Sequence, residues 1–118
     1  MKLNILFGGA SYEHEISIVS AITVREKLSG FDLSFIFCDQ DHTFYAIPAE
    51  KMKAKTFSNG EHKKMPKLSL KQGAFESKTL FSKSEIKGTV LNLIHGADGE
   101  DGSIAALLDF YSIKYIGP

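Results

Sequence analysis

Two glycine-rich turns, each preceded by a short apolar run and followed by apolar residues at helical spacing, constrain this chain more than any other feature. Leu3, Ile5, Leu6 and Phe7 run into Gly8-Gly9, and Ile18, Ala21, Ile22 and Leu28 then recur along one helix face that ends near Ser29-Gly30. Val90 to Ile94 runs into the segment His95 to Gly102. After it, Ile104, Leu107, Leu108 and Tyr111 sit at helical spacing, and Lys114 to Ile116 can return as a strand before Gly117-Pro118. A short apolar run that stops at glycine reads as a strand buried on both faces of a parallel sheet. Leu33 to Phe37 and Phe44 to Ile47 add two more strands. This alternation predicts an open, mostly parallel α/β sheet with flanking helices, in which ligands bind beyond the carboxyl ends of the strands. Both glycine turns fall on that edge, and neighbouring parallel strands would bring them to one site although they are far apart along the chain.

The chain has 118 residues, 43% of them hydrophobic, which suits one compact domain and is too short for two. Lysine plus arginine and aspartate plus glutamate both total 14, so overall charge favours neither a nucleic-acid binder nor an acidic tail. Cys38 is the only cysteine, which excludes an intrachain disulfide and a thiolate metal cluster. The apolar run at Leu3 to Phe7 is too short for a signal-peptide core or a membrane span, so no membrane association and a cytoplasmic location are expected.

Charge is unevenly distributed. From Lys51 to Lys87 there are ten lysines against Glu61, Glu76 and Glu85, a balance of +7 that leaves −7 elsewhere. Within this stretch Leu68 and Leu70 alternate with polar residues, Lys71-Gln72-Gly73 reads as a turn, and Phe75 to Phe81 can form the second arm of a hairpin. A lysine-rich segment with Phe57, Phe75 and Phe81 invites a nucleic-acid reading. It holds no arginine and no recognised binding motif, so a solvated surface hairpin flanked by loops is the expectation.

The first turn, Gly8 to Ser17, is a general anion cradle: glycines let the backbone approach a ligand, and the first amides of a helix point outward unpaired. Gly8-Gly9 lacks a third glycine in register, which removes most support for a dinucleotide. Glu13 and Glu15 are readable as carboxylates that complement the helix dipole, or as partners for a substrate ammonium. Two residues apart on a helix, they point in opposite directions, so at most one of them faces a given ligand. The second turn packs three acids and three glycines into His95 to Gly102. It lacks the alternating oxygen ligands and closing glutamate of a calcium loop, so no metal site is expected in it. His95 is open to a backbone hydrogen bond or to substrate, and Glu100 and Asp101 read as caps of the following helix.

Taken together, the two turns resemble the N-terminal signatures of D-alanine–D-alanine ligases. Gly8-Gly9-Ala10-Ser11-Tyr12-Glu13-His14-Glu15-Ile16-Ser17 is similar to the family's Gly-Gly-x-Ser-x-Glu-x-Glu-Val-Ser, with Ile16 in place of valine. His95-Gly96-Ala97-Asp98-Gly99-Glu100-Asp101-Gly102 is similar to its His-Gly-x-x-Gly-Glu-Asp-Gly, and Tyr115-Ile116-Gly117 to the Tyr-x-Gly after the next helix. The resemblance implies a Rossmann-like pre-ATP-grasp domain spanning residues 1–118, with the lysine-rich 51–87 stretch as an insertion. It further implies an enzyme that joins two D-alanines for peptidoglycan synthesis, using ATP and Mg2+ and passing through an acyl phosphate. Glu13 would hold the ammonium of the first D-alanine and His95 would lie near it, with Ser17 and Gly96 also in the substrate site. Gly8, Gly9, Gly99, Glu100, Asp101 and Gly102 would shape the turns.

The family's nucleotide clamp and metal-binding acids belong to central and C-terminal domains, so this chain alone is expected to be inactive, and the full enzyme to be a homodimer. Two other readings stay open: a non-catalytic dimerisation or interaction module, and the same domain of a ligase that makes D-alanyl-D-lactate.

Overall fold

The structure, a computed structural model, describes residues 2–9, 14–78, 83–94 and 102–117. The chain runs β1 (Lys2–Gly8), α1 (His14–Lys27), β2 (Asp32–Cys38) and β3 (Phe44–Ile47). It continues through a 3-10 turn (Ala49–Lys51), α2 (Ala54–Ser58) and a second 3-10 turn (Glu61–Lys64). Then come β4 (Lys67–Lys71), β5 (Ala74–Lys78), β6 (Lys83–Lys87), β7 (Val90–Asn92), the helix Ser103–Phe110, here α3, and β8 (Tyr115–Ile116). Among the described residues the strands form one sheet in the order β6-β5-β4-β3-β2-β1-β7-β8.

β1 is an interior strand of the sheet because nearly every residue in it can be buried. It pairs in parallel with β2 on one side and β7 on the other, and six consecutive residues from Leu3 to Gly8 are buried. Leu3, Ile5 and Phe7 face α1, where they meet Ile18 and Ala21 together with Phe35 and Phe37 of β2. Leu6 faces the other way, toward Ile104 and Leu108 of α3, Ile36 and Val90. The crossover from β1 to β2 therefore covers one face, and the crossover from β7 to β8 covers the other. The chain turns in opposite directions from the β1–β7 pair, which makes it the switch point where an open α/β sheet forms a crevice at its carboxyl edge. The open α/β sheet with flanking helices expected from the sequence is found, but it is mixed rather than mostly parallel: β2, β1, β7 and β8 run parallel, and the pairings from β2 out to β6 are antiparallel because short connections join those consecutive strands.

The lysine-rich stretch contributes more than the expected surface hairpin. The hairpin exists, with Gln72 and Gly73 between β4 and β5 and Gly73 at φ +77°. A third antiparallel strand, β6, follows it, and all three extend the main sheet beyond β3. The physical reason is the apolar face of the hairpin: Leu68 and fully buried Phe75 join Phe44 in the α3-side core. Phe44 and Phe75 meet edge to face at 5.4 Å. The tip is also fastened, since the Gly73 N–H donates to Tyr111 C=O (2.6 Å) and the Gln72 amide donates to Ser112 Oγ (2.6 Å). The expected arm from Phe75 to Phe81 is strand through Lys78, and 79–82 lie outside the described residues. On the strands Lys67, Lys83 and Lys87 are exposed and Lys71 is half-buried, while Lys51, Lys55, Lys63 and Lys64 lie in the 3-10 turns and α2. They pair locally, Lys71 and Lys87 with Glu85, and Lys51 with Glu61.

Candidate functional site

The carboxyl ends of β2, β1 and β7 form one rim, and the backbone there requires glycine. Gly8 has φ +103°, and a Cβ placed on it would lie 2.2 Å from Cys38 O and 2.8 Å from Phe37 Cε1. No side chain fits, because the obstacle is backbone. Gly9, at φ +97°, donates its N–H to Cys38 C=O (2.8 Å), so the chain leaves the sheet folded tightly over the end of β2. Gly8 and Gly9, assigned from the sequence to the first turn, thus stand at the end of β1 with positive φ, and at Gly8 the reason is steric. Gly102, the other assigned glycine within the described residues, is the residue before α3. It has φ +88°, and its carbonyl accepts the first helical bond, from Ala106 N–H (2.8 Å).

α1 begins directly at this rim. His14 Nδ1 lies 2.6 Å from Gly9 O; because a carbonyl can only accept, Nδ1 carries the proton. The ring packs edge-on against Phe37 at 5.2 Å. One turn further along, Ser17 is fully buried, and its hydroxyl accepts from Gly8 N–H (2.9 Å) and donates to Leu93 C=O (2.6 Å). Gly8 ends the strand before the first turn, and Leu93 lies two residues before His95. One hydroxyl thereby ties together the stems of both turns.

Of the remaining assigned residues, Glu13, His95, Gly96, Gly99, Glu100 and Asp101 lie outside the described residues. The chain departs for the first turn at Gly9 and returns at His14; it departs for the second at Ile94 and returns at Gly102. Both departures are from the same rim of neighbouring parallel strands.

Three features of the rim were not anticipated. Asp39, just past the end of β2, accepts from Gln40 N–H at Oδ1 (2.7 Å) and contacts His62 Nε2 at Oδ2 (3.2 Å). His62 is 4% exposed and enclosed by Phe37, Tyr45 and Phe57. It comes from the lysine-rich stretch, which therefore buttresses the rim. Burial, and then the carboxylates of Asp39 and Asp41, push the Tyr45 phenol above its usual range. Asn92 at the end of β7 is fully buried, with Oδ1 accepting from Ile94 N–H (3.0 Å) and Nδ2 without a partner among the described residues. A Cβ on Gly117 would lie 2.8 Å from Asn92 O, so the Tyr115-Ile116-Gly117 sequence also ends in a glycine required by close approach. The position of Asp39 immediately beyond a strand could have flagged it; His62, inside a run of charged residues, carried no such signal.

A cleft of about 610 Å³ opens beside the rim between α1 and α2, lined by His14, Glu15, Ile18, Gln40 and Phe57 among others. Glu15, in the first turn of α1, brings a carboxylate to it and complements the free amides there. A slightly larger hollow, about 640 Å³, lies at Thr89, Lys114 and Tyr115. Those residues begin β7 and β8, so it opens at the amino ends of the strands, the wrong edge for an α/β sheet ligand. Among the described residues, no group of three or more His, Cys, Asp or Glu could hold a metal ion, and no helix is long and apolar enough to cross a membrane.

The family model for the D-Ala–D-Ala ligase N-terminus matches residues 2–118. Over 118 residues the chain is 75% identical to a D-alanine–D-alanine ligase of Sulfurimonas denitrificans, covering 100% of this chain and 34% of that protein. The crystal structure of the D-alanine–D-alanine ligase from Helicobacter pylori matches with a TM-score of 0.89 and 45% identity, over 100% of this chain and 36% of that one. A D-Ala:D-Ser ligase from Enterococcus faecalis matches with a TM-score of 0.69 and 25% identity, over 98% of this chain and 35% of that one. The chain thus spans about a third of the length of the curated relatives it matches, 34% in the first case.

Proposed function

Since the chain belongs to the D-alanine–D-alanine ligase N-terminal family, we propose that it forms the first-substrate half of an ATP-dependent ligase that joins two D-alanines into D-alanyl-D-alanine. The observation that carries this reading is the rim itself: the stems of the turns bearing Glu13 and His95 leave adjacent parallel strands and share the Ser17 hydroxyl. That arrangement supports a common crevice at the switch point, where a small zwitterion can be held from two sides. Glu13 supplies an ionised carboxylate to the ammonium of the first D-alanine, a charge-assisted bond that strengthens as water is excluded. Held at that end, the substrate presents its own carboxylate for attack on phosphorus. His95 and Gly96 belong to the same crevice, with His95 beside the substrate.

ATP and Mg2+ are assigned to the parts of the ligase outside residues 1–118, and they supply the phosphoryl group that activates the first D-alanine as an acyl phosphate. What this chain's residues do is bind and orient. The 118-residue chain alone releases no ADP on this reading, and the whole enzyme works in the cytoplasm as a homodimer in peptidoglycan synthesis. Ile16 and Val19, exposed to 57% and 59% on one side of α1, offer an apolar surface for such a contact and equally suit the alternative of an interaction module. The match to a D-Ala:D-Ser ligase favours a domain whose fold does not set the second substrate, so a D-alanyl-D-lactate ligase remains the second reading.

The test is Glu13→Gln in the full-length ligase. The amide keeps the shape and loses the charge. The Michaelis constant for the first D-alanine rises at least tenfold, with that for ATP unchanged. Unaltered kinetics would return Glu13 to the role of a helix-capping carboxylate.

A further inference from the structure

The β1–β7 ladder is regular up to its last rung, and that rung is not closed by the backbone. Parallel pairing joins Asn4 to Val90, Ile5 to Leu91 and Leu6 to Asn92. The even-numbered residues of β1 bond to odd-numbered residues around β7: Asn4 N–H donates to Thr89 C=O (2.9 Å), and Leu93 N–H donates to Leu6 C=O (2.8 Å). Continuing that slanted pattern, the next bond would run from Gly8 N–H to Leu93 C=O. Instead the Ser17 hydroxyl stands between them, accepting from Gly8 and donating to Leu93. Two bonds of 2.9 and 2.6 Å occupy the place of one, so the strands part where the sheet changes winding direction. Ser17 is fully buried, and its only hydroxyl proton is committed to Leu93.

We infer that Ser17 is a positioning residue: its side chain wedges β1 and β7 apart at the rim and so sets the separation of Gly8 and Leu93, the stems from which the chain runs on toward Glu13 and His95. This rests on the proposed ligase reading and adds to it a role distinct from substrate contact. The wedge has a consequence that a merely structural serine does not. When the hydroxyl is removed, the freed Gly8 N–H and Leu93 C=O can bond to each other directly, so the fold survives while the crevice narrows.

The experiment uses the full-length ligase with Ser17→Ala, Ser17→Thr, Glu13→Gln and the Ser17→Ala/Glu13→Gln double variant. Ser17→Ala raises the Michaelis constant for the first D-alanine about tenfold or more, leaves that for ATP unchanged, and shifts Tm by only a few degrees. Ser17→Thr, which keeps a hydroxyl, recovers most of the affinity. In the double variant the losses are not additive, because once the Glu13 charge is gone its placement no longer matters. Failure of Ser17→Ala to fold, an unchanged Michaelis constant for D-alanine, an equal rise for ATP, or full additivity with Glu13→Gln would each overturn the wedge. A silent Glu13→Gln is a different result: it removes the ligase reading of Glu13 itself.

Discussion

Replacing Gly8 by alanine isolates the steric demand at the rim. Two costs arise. A residue with a side chain at φ +103° carries backbone strain of about 1–3 kcal/mol. Its Cβ would also sit 2.2 Å from Cys38 O, so the end of β2 must retreat by roughly 1 Å to reach an ordinary contact. That carbonyl is already bonded to Gly9 N–H and cannot move alone, which places the second cost in the range of core overpacking, about 1–3 kcal/mol. Gly60→Ala is the matched control, because Gly60 has φ +80° and a methyl group there would meet nothing within 4 Å, leaving backbone strain alone. Urea denaturation of the two variants should therefore differ by about 2 kcal/mol, and their midpoints by about 1–2 M. Identical midpoints would refute the reasoning, since they would mean that left-handed backbone alone, and not the approach to β2, makes Gly8 a glycine.

Three further outcomes are expected. Phe75→Ala destabilises the chain by about 3–5 kcal/mol in thermal or urea unfolding, because the ring is a fully buried core member, whereas Lys67→Ala, at an exposed position of the same hairpin, changes stability by less than about 0.5 kcal/mol. Asp39→Ala costs about 2–3 kcal/mol by stripping both Gln40 N–H and buried His62 of their acceptor, and Asp39→Asn, which keeps one oxygen, costs about 1 kcal/mol. Glu85→Gln flattens the acid limb of stability against pH. The hydrogen bond from Lys71 holds the Glu85 carboxyl below the usual glutamate range, so its contribution is present above the unfolded-state pKa and is lost as pH falls through the lower folded value. A pH profile identical to that of the parent protein would remove this pair from the account.

Parts of this structure were legible because one kind of force produces them. Leu3 to Phe7, Leu33 to Phe37 and Val90 to Ile94 are apolar runs whose burial decides both where the strands lie and that they sit inside the sheet. The stretch from Lys51 to Lys87 was harder, because charge dominates its composition while a few residues decide its placement. Leu68 and Phe75 dock the hairpin onto the α3 side, and Lys67, Lys83 and Lys87 take exposed positions on the same strands. His62 shows the same limit: its burial depends on Phe37, Tyr45 and Phe57, which come from three separate elements. Ser17 marks a further limit. Its residue type suits a substrate contact, and its sequence position places it on α1, but the strand register makes it the missing rung between Gly8 and Leu93. A hydroxyl spent in that way can shape a crevice without facing it. In a sheet of this kind, a polar side chain that interrupts the ladder at the switch point can be as decisive for ligand geometry as one that touches the ligand, because it fixes how far apart the touching groups are held.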